Sequence, residues 1–373
     1  MLARATTRTF RAAYAPFVQA TCGRSISTSK PYKPIAFAFD IDGVLKQGPV
    51  VLPEAIRTIR MLEGENQWKR KVPYIFITNS GGKDENLRAK DLSNDFQTSV
   101  SPKQVVQAHT VMQSLVQEFG DKPILMIGGP DHPVGYSRQV LEGYGFRQVY
   151  TVYDLQAYSA PSFPYGSLPS DQEEAVKRVD FSTVQFAAIL VFHDSRQWGR
   201  DIQYAIDIMR ADRGVFGTVL TNEELKSRPP IPIFFSHGDF LWGNNFPVAR
   251  LGQGAFRVAL EAVYKELTGT QGLQALTFGK PELSTYEYAN GLLHKMLSSA
   301  GIEDAEHVSP ENVWMIGDNP FSDIAGANNF GWSSALVRTG VYRDIEGPPA
   351  HTPTLTMDNV EVAVRTIMEK AWS

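Results

Sequence analysis

Cysteine is nearly missing from this chain. Cys22 is the only one, which excludes an internal disulfide and a thiolate zinc cluster. No apolar run reaches the roughly 18 residues that would suggest a membrane-spanning helix. Nor is there an excess of positive charge: 36 Lys and Arg against 40 Asp and Glu give a formal net charge of −4, with no broad basic field for nucleic acid. The charges are well mixed after residue 40, but acid is absent before Asp40, while Arg4, Arg8, Arg11, Arg24, Lys30 and Lys33 are accompanied by several Ser and Thr. That is the pattern of an organelle transit peptide, and Arg24-Ser25-Ile26-Ser27 resembles a mitochondrial processing site. The alternative is a disordered basic arm; either way residues 1–33 are set apart from the fold. What remains is rich enough to pack: 43% hydrophobic and 11% aromatic residues over a 373-residue chain can fill the cores of two domains.

Apolar runs recur at 35–39, 72–78, 123–128, 186–192, 231–235, 275–278, 312–316 and 334–338. Helical patterns lie between them at 53–62, 86–96, 103–119, 134–141, 198–209, 256–267 and 282–297. This alternation predicts an α/β fold with parallel sheets. Residues 158–177, with three prolines and several serines, read as a long irregular loop.

Four strand ends carry chemistry. Residues 35–39 have no polar alternation, as in a strand buried on both faces, and stop on Asp40-Ile41-Asp42-Gly43. Counted from Asp40 as an EF-hand loop, glycine falls at the fourth position and Val51 at the twelfth, where calcium needs Gly sixth and Glu twelfth. The run 74–77 ends on Thr78-Asn79-Ser80-Gly81-Gly82, whose hydroxyl and amides suit a phosphate oxygen, although Thr and Asn also close ordinary turns. Gly279-Lys280-Pro281 follows another run; Gln274 and Pro281 exclude a Walker A loop. Finally 312–316 leads into Gly317-Asp318 with Asp323 five residues on, which alone could be a capped helix start.

In open α/β sheets, ligands bind beyond the carboxyl ends of the strands. Asp40, Asp42, Asp318 and Asp323 would therefore converge and repel unless a divalent cation neutralised them. Magnesium fits an all-oxygen set completed by a substrate phosphate. A carboxylate can attack phosphorus, a second can move the proton, and a lysine can neutralise the phosphoryl oxygens.

The four motifs, in this order, resemble those of the haloacid dehalogenase-like hydrolases over about residues 34–345, by the extent of the motif-bearing elements. The long interval between the second and third motifs is similar to the class IIA branch, with its C2-type cap. Asp239-Phe240-Leu241-Trp242, the stretch from Pro247 to Gly254 and Gly317-Asp318-Asn319-Pro320 resemble its mitochondrial, cat eye syndrome critical region-type members. The resemblance implies a Rossmann-like doubly wound parallel-sheet core at 34–120 and 248–373, with a large inserted α/β cap at 121–247. It implies Asp40 as nucleophile and metal ligand, and Asp42 as general acid/base that also ligates Mg2+ through its carbonyl. Thr78, Asn79 and Lys280 would hold the phosphoryl group, Asp318 would bind the metal, and Asp323 would support it from behind. His237 and Asp239, where many relatives carry Asn-Pro-Asp, would face the substrate.

The activity implied is hydrolysis of a small phosphorylated metabolite through an aspartyl phosphate, in mitochondria and there in the matrix, with a link to glycerophospholipid metabolism. Transfer of the phosphoryl group to an alcohol or sugar, or a catalytically silent binding or scaffold role, stands as the alternative. The sequence carries no indication of oligomeric state.

Overall fold

In a computed structural model of the chain, residues 33–129, 133–243, 246, 248–270, 272–299 and 308–373 are described. The transit-peptide reading falls on residues outside this set, apart from Lys33.

The uninterrupted apolar run becomes the fully buried strand Ala36–Phe39, at the middle of a six-stranded parallel sheet. Tyr74–Thr78 pairs with it on one side and Val105–Gln107 lies beyond. On the other side come Val313–Gly317, Ser333–Val337 and Leu355–Met357. The chain thus builds the sheet outward from Ala36–Phe39 in one direction, then returns to build it in the other. The crevice where the direction reverses, between Ala36–Phe39 and Val313–Gly317, is where open α/β sheets bind ligands.

A second parallel sheet runs in the order Gln148–Thr151, Pro123–Gly129, Ala188–Ser195, Ile233–Phe235, Ala275–Thr277. Its last strand corrects the expected boundary at 247/248. Helix Gln253–Thr268 buries Phe256, Leu260 and Tyr264 among the apolar side chains of this second sheet, and Ala275–Thr277 pairs with Ile233–Phe235. The chain leaves the second sheet only after residue 277, where Ala275–Thr277 completes its edge beside Ile233–Phe235.

The helices at Pro53–Leu62 and Trp198–Met209 match the predicted spans, and Gln253–Thr268 closes on Gly269 in the left-handed conformation, as the pattern implied. The predicted helix at 103–119 is instead a short 3₁₀ turn, the strand Val105–Gln107, a longer 3₁₀ segment at Ala108–Leu115 and one helical turn. The β-branched pair Val105-Val106 fills the sheet edge beside Phe76 and Ile77, and this pairing overrides the helical spacing.

The first sheet packs Phe37, Phe39 and Phe76 against helices Pro53–Leu62, Glu85–Phe96 and Val360–Trp372. From its other face Ala36, Ala38, Ile75 and Ile77 join a continuous buried cluster with Ile124, Met126, Phe192 and Phe234 of the second sheet. Pro34–Ser373 is accordingly one compact unit containing both large sheets.

Candidate active site

Two carboxylates are delivered by the strands that flank the crevice. Asp40 follows Ala36–Phe39 and Asp318 follows Val313–Gly317; both are buried. Asp318 Oδ2 accepts the N–H of Val341 at 2.6 Å. Gly43 and Gly340 close around the same carboxylate, and a Cβ at either would overlap it. Gly43 also has φ +88°, so two independent constraints favour glycine there.

Asp323 lies on a π-helical turn, Pro320–Ile324, and is fully buried. Its Oδ2 accepts the N–H groups of Asp318 and Asn319 at 3.1 and 3.0 Å, fixing the loop that carries Asp318. Behind this turn the buried Tyr286 hydroxyl donates to the carbonyls of Ser322 and Asp323.

Lys280 arrives from the other direction, just past the end of the second sheet. Its Nζ lies 2.5 Å from Asp40 Oδ1 and 2.6 Å from Asp323 Oδ1, and it is almost wholly buried. Burial works against a charged lysine, but Asp323 and Asp40 outweigh it and hold the pKa above its ordinary value. Asp40 is itself raised, by burial first; Lys280 opposes this while Asp323, Asp318 and Asp42 add to it. Asp318 is pushed up to about 7 by burial and by Asp323.

Oxygen atoms of Asp40, Asp318 and Asp323 all lie within 4.8 Å of one another. Three buried carboxylates around one ammonium leave an excess of negative charge, which adds to burial in raising Asp40 and Asp318. An all-oxygen donor set with surplus negative charge fits a hard divalent cation.

Asp42 stands apart from that trio. It lines the cleft as an exposed side chain, with its pKa raised by the desolvating walls around it against the pull of Arg88, Lys280 and Lys46. Thr78, buried at the end of the adjacent strand, accepts the N–H of Ser80 at 3.0 Å and shapes the turn beside Asp40.

The Asn79 side chain is engaged within the protein. Its Oδ1 accepts the N–H of Lys280 at 2.8 Å, while Nδ2 donates to the Lys280 carbonyl and to Asp239 Oδ2, each at 2.9 Å. With both amide hydrogens committed, Asn79 positions the lysine turn and ties it to the 236–239 loop.

His237 and Asp239 do line the cleft. His237 Nδ1 accepts the N–H of Asp239, and its Nε2 faces Asp194 Oδ1 at 3.6 Å. Burial alone would lower the His237 pKa, but Asp194 and Asp239 raise it. The cleft, about 410 Å³, also receives His193, Arg196 and Trp242. Sequence reasoning passed over Arg88, Tyr286 and Val341. Arg88 and Tyr286 sit on helical stretches with no local motif, and Val341 contributes only a backbone N–H, which no side-chain pattern encodes.

Acidic strand ends at the switch point of a Rossmann-like sheet, with a buried lysine among them, define a class of α/β hydrolase centre. A family model described as haloacid dehalogenase-like hydrolase matches residues 37–147, and a HAD-hydrolase-like model matches 277–363. A mitochondrial hydrolase of Saccharomyces cerevisiae is 38% identical over 354 residues, spanning 91% of this chain and 96% of that protein. A cardiolipin synthase (CMP-forming)/mitochondrial hydrolase fusion protein of Schizosaccharomyces pombe is 36% identical over 92% of this chain, which spans 55% of the fusion.

Among solved structures, a p-nitrophenyl phosphatase from Archaeoglobus fulgidus aligns with TM-score 0.55 at 15% identity, over 90% of this chain and 99% of that one. A possible sugar phosphatase from Cytophaga hutchinsonii aligns with TM-score 0.58 at 17% identity, over 88% and 94%. Both share the fold. The chain belongs to the haloacid dehalogenase-like hydrolases.

Proposed function

We propose that this hydrolase is a magnesium-dependent phosphatase that cleaves a small phosphomonoester through an aspartyl phosphate. The observation that carries the reading is the cluster in which Lys280 bridges Asp40 and Asp323 beside Asp318, with Asp42 at the open side. Asp40 would attack phosphorus, forming an Oδ–P bond as the P–O bond to the leaving alcohol breaks. Asp42 would give its proton to the departing oxygen, then take one from the water that attacks the aspartyl phosphate, releasing inorganic phosphate and restoring Asp40. Lys280 and Thr78 would hold the phosphoryl oxygens.

Asp40, Asp318 and the Asp42 carbonyl would hold Mg2+, with Asp323 supporting them from behind. The ion, when bound, would neutralise charge on the phosphoryl group. The second sheet with its helices, extended to residue 277, would act as the cap that covers the site, with His237 and Asp239 facing the substrate.

The names of the two fungal relatives support a mitochondrial location, and the fusion to a cardiolipin synthase supports a glycerophospholipid setting. Phosphate release measured over a panel of phosphomonoesters with Mg2+ tests the assignment. Asp40→Asn is expected to lower release by at least about a thousandfold, as loss of a covalent nucleophile does. Release unaffected by that substitution would remove Asp40 from the chemistry.

A further inference from the structure

Beside the catalytic cleft opens a groove of about 610 Å³. The two spaces share Asp42, Asp318, Leu241, Gly243 and Val341. If Asp42 protonates the leaving oxygen, whatever lies beyond Asp42 is the leaving group, and the groove is where it goes.

The groove walls are poor in anything that could recognise a polar leaving group. One side is formed by Gly43, Gly48 and Gly340, the other by Leu241, Phe246 and Val248. Its uncharged polar side chains among the described residues are two, and each has a donor turned to the backbone: the Thr339 hydroxyl donates to the Gly43 carbonyl at 2.5 Å, and Gln47 Nε2 donates to the Thr339 carbonyl at 2.8 Å. Beyond the two aspartates at the inner end, Arg343 is the one charge among the described lining residues.

Among the described residues of the stretch 240–251, large apolar side chains are concentrated at the surface. Phe240, Leu241, Trp242, Phe246, Val248 and Leu251 are between 41 and 62% exposed within twelve residues of chain. A concentrated apolar patch at the rim of a polar site marks a contact surface for an apolar ligand. A sugar or polyol would leave its hydroxyls unpaired here, which a binding site penalises strongly.

We propose that this groove binds the leaving group, and that the substrate is the phosphomonoester of an elongated apolar alcohol. The inference rests on the phosphatase reading only for the direction of the leaving group. An alkyl phosphate free in water and a lipid phosphate presented by a bilayer share this chemistry, and the test separates them.

Binding of a soluble alkyl phosphonate series, ethyl to octyl, to the full chain is measured by calorimetry, so the result does not depend on turnover. Affinity is expected to rise about two- to fourfold per methylene that enters the groove. Phe246→Ser and Val248→Asp, both at exposed positions, are each expected to cut the octyl-to-ethyl affinity ratio by about fivefold or more. Their melting curves establish that the fold is intact. A flat chain-length dependence in the wild type overturns the groove, as does an unchanged ratio in both folded variants.

Phosphatidylcholine vesicles containing phosphatidate form the second arm. Vesicle binding without chain-length dependence for the soluble phosphonates would assign the exposed side chains to a bilayer surface and overturn the groove. Vesicle binding together with chain-length dependence supports the groove with a bilayer as its source of substrate; chain-length dependence alone supports it with a soluble source. Failure of phosphate release in the panel, with the chain-length dependence retained, would overturn hydrolysis and leave the groove standing.

Discussion

At the residue scale, burial decides what each ionisable group can do. Asp40 and Lys280 make an ion pair that water barely reaches, and Asn79 spends its whole amide keeping that lysine in place. His109 shows the opposite outcome. It is fully buried, stacked on Phe192 at 4.4 Å between ring centroids, and bonded through Nδ1 to the Tyr144 hydroxyl at 2.8 Å. No carboxylate pairs with it among the described residues, and burial holds its pKa down at about 3, with His193 and Arg88 adding to the effect.

Because the folded-state pKa of His109 lies below the ordinary value of 6.5, the unfolded chain takes up a proton that the folded chain refuses between roughly pH 6.5 and 3. Its neutral form therefore supports folding above that window, and stability is lost as pH falls through it. The difference between wild type and His109→Gln, in urea unfolding across pH 6.5 to 4.5, is expected to change by about 1.4 kcal/mol per pH unit, the wild type losing more. Parallel pH profiles would place the histidine in a wetter environment.

At the scale of elements, short segments are held by single buried charges. Asp154, in the first turn of helix Val152–Tyr158, accepts both oxygens' worth of hydrogen bonds from Arg138 of helix Tyr136–Tyr144, at 2.9 and 2.7 Å. It also accepts the N–H groups of Thr151 and Lys177 at 2.7 Å. Arg138 Nη1 reaches the Ala175 carbonyl. The Pro- and Ser-rich stretch 158–177 is irregular, as its composition predicts, yet its end is fixed by this pair. Removing one partner strands the other charge in a dry environment, so Asp154→Ala is expected to cost about 3–5 kcal/mol in denaturant unfolding. A loss below about 1 kcal/mol would show that the pair is solvated in solution.

At the scale of the molecule, each sheet keeps a core of its own on its outer face and shares a third between the two. Ala36, Ala38, Ile75 and Ile77 meet Ile124, Met126, Phe192 and Phe234 in one buried cluster, and Lys280 stands where the chain passes from the second sheet to the first. Either sheet alone would expose that cluster to water, at roughly 25 cal/mol per Å² of apolar surface. Unfolding of the full chain is therefore expected as one transition, with tryptophan fluorescence and far-ultraviolet circular dichroism coinciding in urea. Two resolved transitions would mean that the shared cluster contributes little.

The sequence alone determined the elements whose signals are local. An uninterrupted apolar run ending on Asp40 and Asp42 marks a buried strand and the acidic turn after it, and Gly269 marks a helix end, because burial on both faces and a left-handed cap each restrict residue type within a few positions. The set Asp40, Thr78, Lys280 and Asp318 was legible for the same reason, each standing at the end of an apolar run. Tertiary structure decided what depends on distant partners. It placed Ala275–Thr277 in the second sheet and Val105–Gln107 at the edge of the first, since strand pairing is a contest between backbone edges that no local pattern records. It placed the Asn79 amide against the Lys280 backbone, 201 residues away in sequence. It also set Phe246 and Val248 beside Asp42, an adjacency created only by folding.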